Sequence, residues 1–296
     1  MQTILSFLKD IPILLKTYVS PQIFHDIYQL IVIKGKRISK LFPVEIHVTE
    51  HCNLNCKGCN HFSSIAEESF LEPQQFEKDI TRLAELSQKY FAIKILGGEP
   101  LLHPRITDFF DITRKHFPST PIQITTNGIL LEKQPDDFWH SCNKNKITVS
   151  VSQYPIKLNK KALKEIARTH RVKLVFNGTT AENRMCKIPL DPDGSQDMKK
   201  SHSKCAISWG CCVTLRDGLI YTCCIAAHIK NFNDYFKQNL EIGSSDYVDI
   251  YKISSKEEII DFLEKPFPFC RYCVTSQIKF AQRWGITKKN INEWIN

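Results

Sequence analysis

From Pro43 onward, short β-branched and apolar runs alternate with longer segments whose apolar residues recur every three or four positions. The runs are VEIHVTE (44–50), FAIKIL (91–96), PIQITTNG (121–128), KITVSVS (146–152) and VKLVFNG (172–178), and each reads as a strand. Between them, residues 72–90, 104–117, a shorter stretch near 135–143 and one near 158–169 carry helical periodicity. Strict alternation of strand and helix argues for parallel βα units wound right-handed. The rhythm fades after the fifth strand, so the expected fold is α/β, a partial (β/α)6-type barrel rather than a closed eightfold one. Within ITVSVS the period of two puts Thr148, Ser150 and Ser152 on one face, a polar stripe turned inward or toward a helix.

The flanks read differently. Residues 1–42 form two amphipathic helical pieces broken at Pro21. Three roles are open to this extension: covering the open sheet edge, docking a partner, or peripheral contact with a membrane surface. The first is favoured, because unpaired strands invite association. Beyond about residue 200 a small second unit is expected. It carries a β-hairpin with strands near 209–216 and 219–225 around the Asp217-Gly218 turn, a helix over 256–265, and CRYC at 270–273. The expected division is 1–42, 43–200, 201–280 and a tail at 281–296. The second unit looks thin in apolar residues, so cross-linking by a metal cluster would help it hold.

Composition narrows the setting. No apolar run approaches the roughly 20 residues that a membrane-spanning helix needs, and the N-terminus mixes lysines with its apolar residues and lacks a small-residue cleavage site. Nine of the 12 cysteines cluster as C-x3-C-x2-C, CC, CC and C-x2-C, which suits metal ligands better than separated disulfide partners. A reducing cytoplasm is the expected compartment. The formal charge of +9 is spread along the chain, with short runs at 34–40 and 199–204, and reads as a solvated basic surface rather than a nucleic-acid footprint.

The densest chemistry lies in VTEHCNLNCKGCNHF (48–62), where Cys52, Cys56 and Cys59 leave directly from the first strand. Asn53, Asn55, Gly58 and Asn60 are poor helix formers, so the cysteines belong to a loop and not to the apolar face of a helix. Three cysteines fall at this spacing by chance in roughly 2% of chains of this composition. Active sites of parallel barrels gather at the carboxyl ends of their strands. Three thiolates suit three corners of a cubane iron–sulfur cluster and leave the fourth iron open to a substrate or cofactor.

This loop resembles the signature of the radical S-adenosylmethionine (SAM) enzymes. The resemblance implies a 4Fe–4S cluster whose open iron binds SAM, and reductive cleavage of SAM to a 5′-deoxyadenosyl radical that abstracts a substrate hydrogen. ILGGEP resembles the family's GGE motif, which implies that Gly97 and Gly98 let the backbone approach SAM and that Glu99 accepts a hydrogen bond from its ammonium. By the same resemblance Asn127 of TTNG contacts the ribose and Ser150 the SAM carboxylate. Gly58 departs from the family, which commonly has an aromatic residue there against the adenine; His61 and Phe62 are the nearby rings that would compensate.

A second set, Cys205, Cys223, Cys270 and Cys273, has the spacing C-x17-C, a gap of 46 residues, then C-x2-C. It resembles the twitch, or half-SPASM, subgroup of the same superfamily, and is similar in layout to an aminocyclitol dehydrogenase. That implies an auxiliary 4Fe–4S cluster, closed by four thiolates and handling electrons. A structural zinc site is the other use of such a set. Cys211 is the nearest substitute for a named ligand.

The expected activity is therefore that of a radical SAM oxidoreductase oxidising a hydroxyl carbon of a sugar, cyclitol or glycan precursor, with flavodoxin or ferredoxin as reductant. Epimerisation with Cys211, Cys212 or Cys224 as hydrogen donor, and peptide modification, are the alternatives within the class. A zinc-stabilised nucleic-acid-binding module and a ferredoxin-like carrier are those outside it.

Overall fold

The computed structural model describes residues 41–177, 184–205, 207 and 212–295, so the expectations for residues 1–40 and for Cys211 lie outside it. Strands β1 (Pro43–Thr49), β2 (Ala92–Gly97), β3 (Ile122–Thr126), β4 (Ile147–Ser152) and β5 (Lys173–Asn177) alternate with helices α1 (Pro73–Leu86), α2 (Ile106–His116), α3 (Asp136–Lys144) and α4 (Lys160–Thr169). All four strand pairings are parallel, as right-handed βα units require.

The period of two sorts each strand into two faces. Val44, Ile46 and Val48 of β1, Ile93 and Ile95 of β2, and Val149 and Val151 of β4 share one core with Phe76 and Ile80 of α1, Phe109 and Phe110 of α2, and Trp139 of α3. The opposite face holds Glu45, His47 and Thr49 of β1, Lys94 of β2 and the Thr148, Ser150 and Ser152 stripe of β4, which thus turns away from the helices. A functional site is placed on that face by default, because the helix-side face is filled with apolar side chains.

The sheet does not end at β1. Strand β7 (Val213–Arg216) pairs parallel with β1, and β8 (Leu219–Tyr221) and β9 (Val248–Asp249) follow antiparallel, giving the order β5-β4-β3-β2-β1-β7-β8-β9. The hairpin turn falls at Asp217 and Gly218, both at positive φ, as a tight two-residue turn demands. Asp79 of α1 holds it, accepting from the Gly218 N–H at 3.1 Å and the Tyr251 hydroxyl at 2.7 Å.

The strand expected to reach residue 225 stops at Tyr221, and Cys224–Phe236 forms helix α6. Ile225, Ile229 and Phe232 of that helix are buried at helical spacing, and the Cys223 thiol caps its start by accepting the Ala226 N–H at 3.5 Å. Two short helices, α5 (Met198–Lys204) before it and α7 (Lys256–Leu263) after it, and an antiparallel pair of β6 (Arg184–Lys187) with β10 (Lys279–Arg283), complete the described elements used below. A second core gathers Ile225 and Phe232 of α6 with Phe267 and Phe269, and draws in Phe62 from the cysteine loop and Trp294 from the end of the chain. No helix among the described residues is long and apolar enough to cross a membrane.

Candidate active site

The loop after β1 brings Cys52, Cys56 and Cys59 close enough together for their charges to couple. Desolvation, above all, pushes the Cys52 and Cys56 thiols up to about 12 and raises Cys59 as well. Bare thiolates are therefore disfavoured here, whereas thiolates sharing positive metal ions are not. Donors already aim at the sulfurs: the Leu54 N–H reaches Cys52 Sγ at 3.3 Å, and the Trp284 indole N–H reaches Cys56 Sγ at 3.1 Å. The backbone N–H groups of His61, Phe62 and Ser63 turn toward Cys59. Three convergent sulfurs with N–H donors around them fit an iron–sulfur cluster.

The GGEP turn lies against this loop. A Cβ on Gly98 would stand 2.0 Å from the His51 carbonyl oxygen, and one on Gly97 2.5 Å from that of Thr49. The glycines are thus required by the approach of β2 to the end of β1, a demand within the protein itself. Glu99 is fully buried. Its Oε1 accepts from the Leu101 N–H at 3.1 Å and the Thr126 hydroxyl at 2.6 Å, and its Oε2 from the Asn127 N–H at 2.8 Å. Burial outweighs those donors and pushes the carboxyl up to about 7. Asn127 turns its side-chain amide onto the cysteine loop, donating to Asn53 Oδ1 at 2.7 Å and lying 3.8 Å from Cys52 Sγ. Ser150 is buried on the polar face and accepts from Asn177 of β5.

The end of the chain packs on the loop, which sequence reasoning did not anticipate. Lys57 N–H donates to the Gly285 carbonyl at 2.8 Å, Thr287 N–H to that of Asn55 at 2.9 Å, and the Trp294 indole to that of Cys59 at 2.9 Å. This explains Gly58: it sits at φ +64°, and a Cβ there would stand 2.8 Å from the Glu293 carbonyl oxygen. Phe62 does not replace the missing aromatic ring, because it is buried in the second core against Phe232 and Trp294. The rings beside the cysteines include Trp284 and Tyr154, which face each other at 6.3 Å between centroids; the Tyr154 hydroxyl pKa is raised by desolvation and by the nearby thiols. Tyr154 and Trp284 carry no local motif that would have marked them.

The second cysteine set also converges. Cys205, Cys223, Cys270 and Cys273 line one cavity walled by Ile188, Ile225, Phe267 and Phe269. Burial pushes Cys270 up to about 12 and raises Cys223 and Cys273 strongly. An apolar chamber with four sulfurs is hostile to free thiolates and fits a metal cluster or ion that neutralises them. Cys212 and Cys224 do not line this cavity; they hydrogen-bond to each other, and Cys224 lies near Glu45 of the polar face.

A third group was not read from the sequence. His47 of β1, Glu50 just after it, and His228 of α6 face one another, with Arg216 of β7 and Asn231 of α6 beside them. Burial acts to raise the Glu50 carboxyl, but the bond and charge of His228, the Arg216 guanidinium and the Asn231 amide overcome it and hold the group down to about 2. Desolvation pushes His61, stacked edge-on to His47, down to about 3 and lowers His47 strongly.

Residues 46–184 match the family model of the radical SAM superfamily. Among curated proteins, a GTP 3′,8-cyclase of Chlorobaculum tepidum is 37% identical over 93 residues, 31% of this chain and 28% of that protein. The GTP 3′,8-cyclase of Aquifex aeolicus is 22% identical over 236 residues, 76% of this chain and 65% of that protein. The chain spans between 28% and 46% of the length of the first three curated relatives. Among solved structures, the crystal structure of BtrN in complex with AdoMet and 2-DOIA is similar at 16% identity and a TM-score of 0.49, over 79% of this chain and 93% of that one. The match begins inside β1, runs through the cysteine loop and the GGEP turn, and ends at the first residue of β6, so this part of the chain is similar to the radical SAM superfamily.

Proposed function

We propose that this chain is a radical SAM oxidoreductase that removes two hydrogens from a hydroxyl-bearing carbon of a small polar substrate, such as a sugar, cyclitol or glycan precursor. The observation that carries the reading is the second sulfur chamber, in which Cys205, Cys223, Cys270 and Cys273 meet apart from the three-cysteine loop. Four protein ligands leave no open iron, so a cluster there passes electrons and binds no substrate. On this reading residues 201–280 take the twitch role. SAM and the first cluster, when bound, supply a carbon-centred radical that takes a hydrogen atom from the substrate.

The chain's own residues then have distinct tasks. Cys52, Cys56 and Cys59 would hold the first cluster, a three-thiolate set that would leave one metal position for SAM. Glu99 Oε2 accepts a single donor in the described structure and so keeps an acceptor position for the SAM ammonium. Asn127 fixes the loop through Asn53, next to the ribose position, and Ser150 stands on the polar face for the SAM carboxylate. Lys94, Thr148 and Ser152 of the same face offer hydrogen bonds to substrate hydroxyls. A cluster held by Cys205, Cys223, Cys270 and Cys273 would supply an acceptor for the second electron and the hydroxyl proton would leave for solvent, so that with the abstracted hydrogen atom the two-electron oxidation balances. The reductant is a small electron-transfer protein of the flavodoxin or ferredoxin type.

A second reading is favoured by the contact between Cys212 and Cys224 beside Glu45, since a thiol on the polar face can return hydrogen to the opposite side of a substrate radical and so epimerise it. The test is anaerobic reconstitution with iron and sulfide, then dithionite, SAM and a panel of sugars, aminocyclitols and GTP, with products read by mass. Oxidation yields 5′-deoxyadenosine and a product two hydrogens lighter. Conserved mass with solvent deuterium incorporated supports epimerisation, and ring closure of GTP supports the activity named for the curated relatives.

A further inference from the structure

The radical chemistry uses neither His47 nor His228, yet both are buried and carry unpartnered ring nitrogens. Among the described residues, Nδ1 and Nε2 of His47 and Nε2 of His228 have no hydrogen-bond partner. Orphaned buried polar atoms of this kind are costly, so three in one place ask for a missing partner. One ligand atom from each of His47, Glu50 and His228 lies within 4.8 Å of the others. The two rings stack at 3.8 Å with planes 27° apart, and His61 packs edge-on to His47 at 4.7 Å. Ligand bonds of about 2.0–2.1 Å to a tetrahedral ion put donor atoms roughly 3.4 Å apart, a distance reached by turning the two rings modestly.

The donor chemistry agrees. Burial keeps His47 in the neutral form that ligates, and two imidazoles with one carboxylate are a set that zinc and other divalent first-row ions accept. Arg216 stands at 2.9 Å from His228 Nδ1 and 3.5 Å from Glu50 Oε2, and also donates to the Ala227 carbonyl at 2.8 Å. It therefore helps orient the carboxylate, and His228 Nδ1–H donating to Glu50 Oε2 at 3.1 Å leaves the lone pair of the unpartnered Nε2 to the ion. A cavity of about 340 Å³ adjoins the group, bordered by His47, Glu50 and Arg216 together with Ile46, Val48 and Phe76.

We propose that His47, Glu50 and His228 bind one divalent first-row transition ion of the zinc class, with the remaining coordination position open to water or a substrate oxygen from the adjoining cavity. The site is independent of which reaction the radical chemistry performs. The test uses the full chain reconstituted anaerobically with iron and sulfide, equilibrated with zinc and desalted. Elemental analysis is expected to give one zinc per chain beyond the iron, and the zinc is lost from a His47→Ala/His228→Ala variant that keeps its iron and sulfide. X-ray absorption at the zinc edge of the unmodified protein is expected to show only nitrogen and oxygen neighbours at about 2.0–2.1 Å. Absence of retained zinc, zinc retained unchanged by the double variant, or a sulfur shell at about 2.3 Å overturns the proposal. The absorption measurement needs no variant to fold.

Discussion

The indole N–H of Trp284 donates to Cys56 Sγ over 3.1 Å, joining residues 228 positions apart in the chain. A hydrogen bond to a ligating sulfur spreads its negative charge and stabilises the reduced state of a cluster. Trp284→Phe keeps the ring against Tyr154 and removes only the donor. It is expected to lower the reduction potential of the SAM-binding cluster and slow 5′-deoxyadenosine formation with iron content unchanged, as read by redox titration followed by electron paramagnetic resonance. An unchanged potential would mean that the contact has no electronic role.

Two glycines are steric requirements of the loop. Gly98→Ala places a methyl 2.0 Å from the His51 carbonyl oxygen, and Gly58→Ala adds a contact of 2.8 Å to Glu293 on top of a left-handed backbone. Overpacking and an unfavourable φ each cost about 1–3 kcal/mol. Both variants are expected to lower Tm, and Gly98→Ala also to lower iron occupancy, because His51 adjoins Cys52. Thermal melts and iron analysis on anaerobic protein check this.

Glu99 gives a pH dependence whose sign is fixed. Its carboxyl is raised by burial to about 7 in the folded chain against a usual 4.5, so the folded form binds the proton more tightly. Stability from this group is present in full below about 4.5 and is lost as pH climbs toward 7. If Glu99 receives the SAM ammonium as carboxylate, SAM binding strengthens as pH rises through about 7 and releases a proton. Glu99→Gln is expected to flatten both trends. Calorimetric titration with SAM in buffers of different ionisation enthalpy reads the proton directly, and a release undiminished in the variant would assign it to another group.

The parallel sheet and the three-cysteine loop were legible because their signals are local. A period of two or of three to four shows within a few residues, and C-x3-C-x2-C is complete within eight. Glu99 was legible as a site residue but not as the clasp between β2 and β3, since two of its three donors, Thr126 and Asn127, come from another strand. The start of helix α6 was hidden by the hairpin: the apolar run after Asp217-Gly218 reads as a strand to residue 225, although Ile225, Ile229 and Phe232 have helical spacing. The stacking of His47 on His228 and the closure of Trp284 and Trp294 on the loop join distant segments, and only the fold brings them together.

Separate roles for the two sulfur sites predict a contrast between single variants. Cys56→Ala is expected to abolish 5′-deoxyadenosine formation, whereas Cys270→Ala should retain SAM cleavage and lose product oxidation. Chromatography of both nucleoside and substrate in soluble, reconstituted variants checks this, and equal loss in the two would count against the division.

The most direct measurement is electron paramagnetic resonance of the dithionite-reduced Cys270→Ala protein, in which the signal of the loop cluster stands alone, recorded with and without SAM labelled with nitrogen-15 on its amino group. A SAM-induced shift of the signal, with hyperfine coupling to the labelled nitrogen, is the predicted result. A spectrum that SAM leaves unaltered, in protein whose loop cluster is intact, would contradict an iron corner left open by Cys52, Cys56 and Cys59.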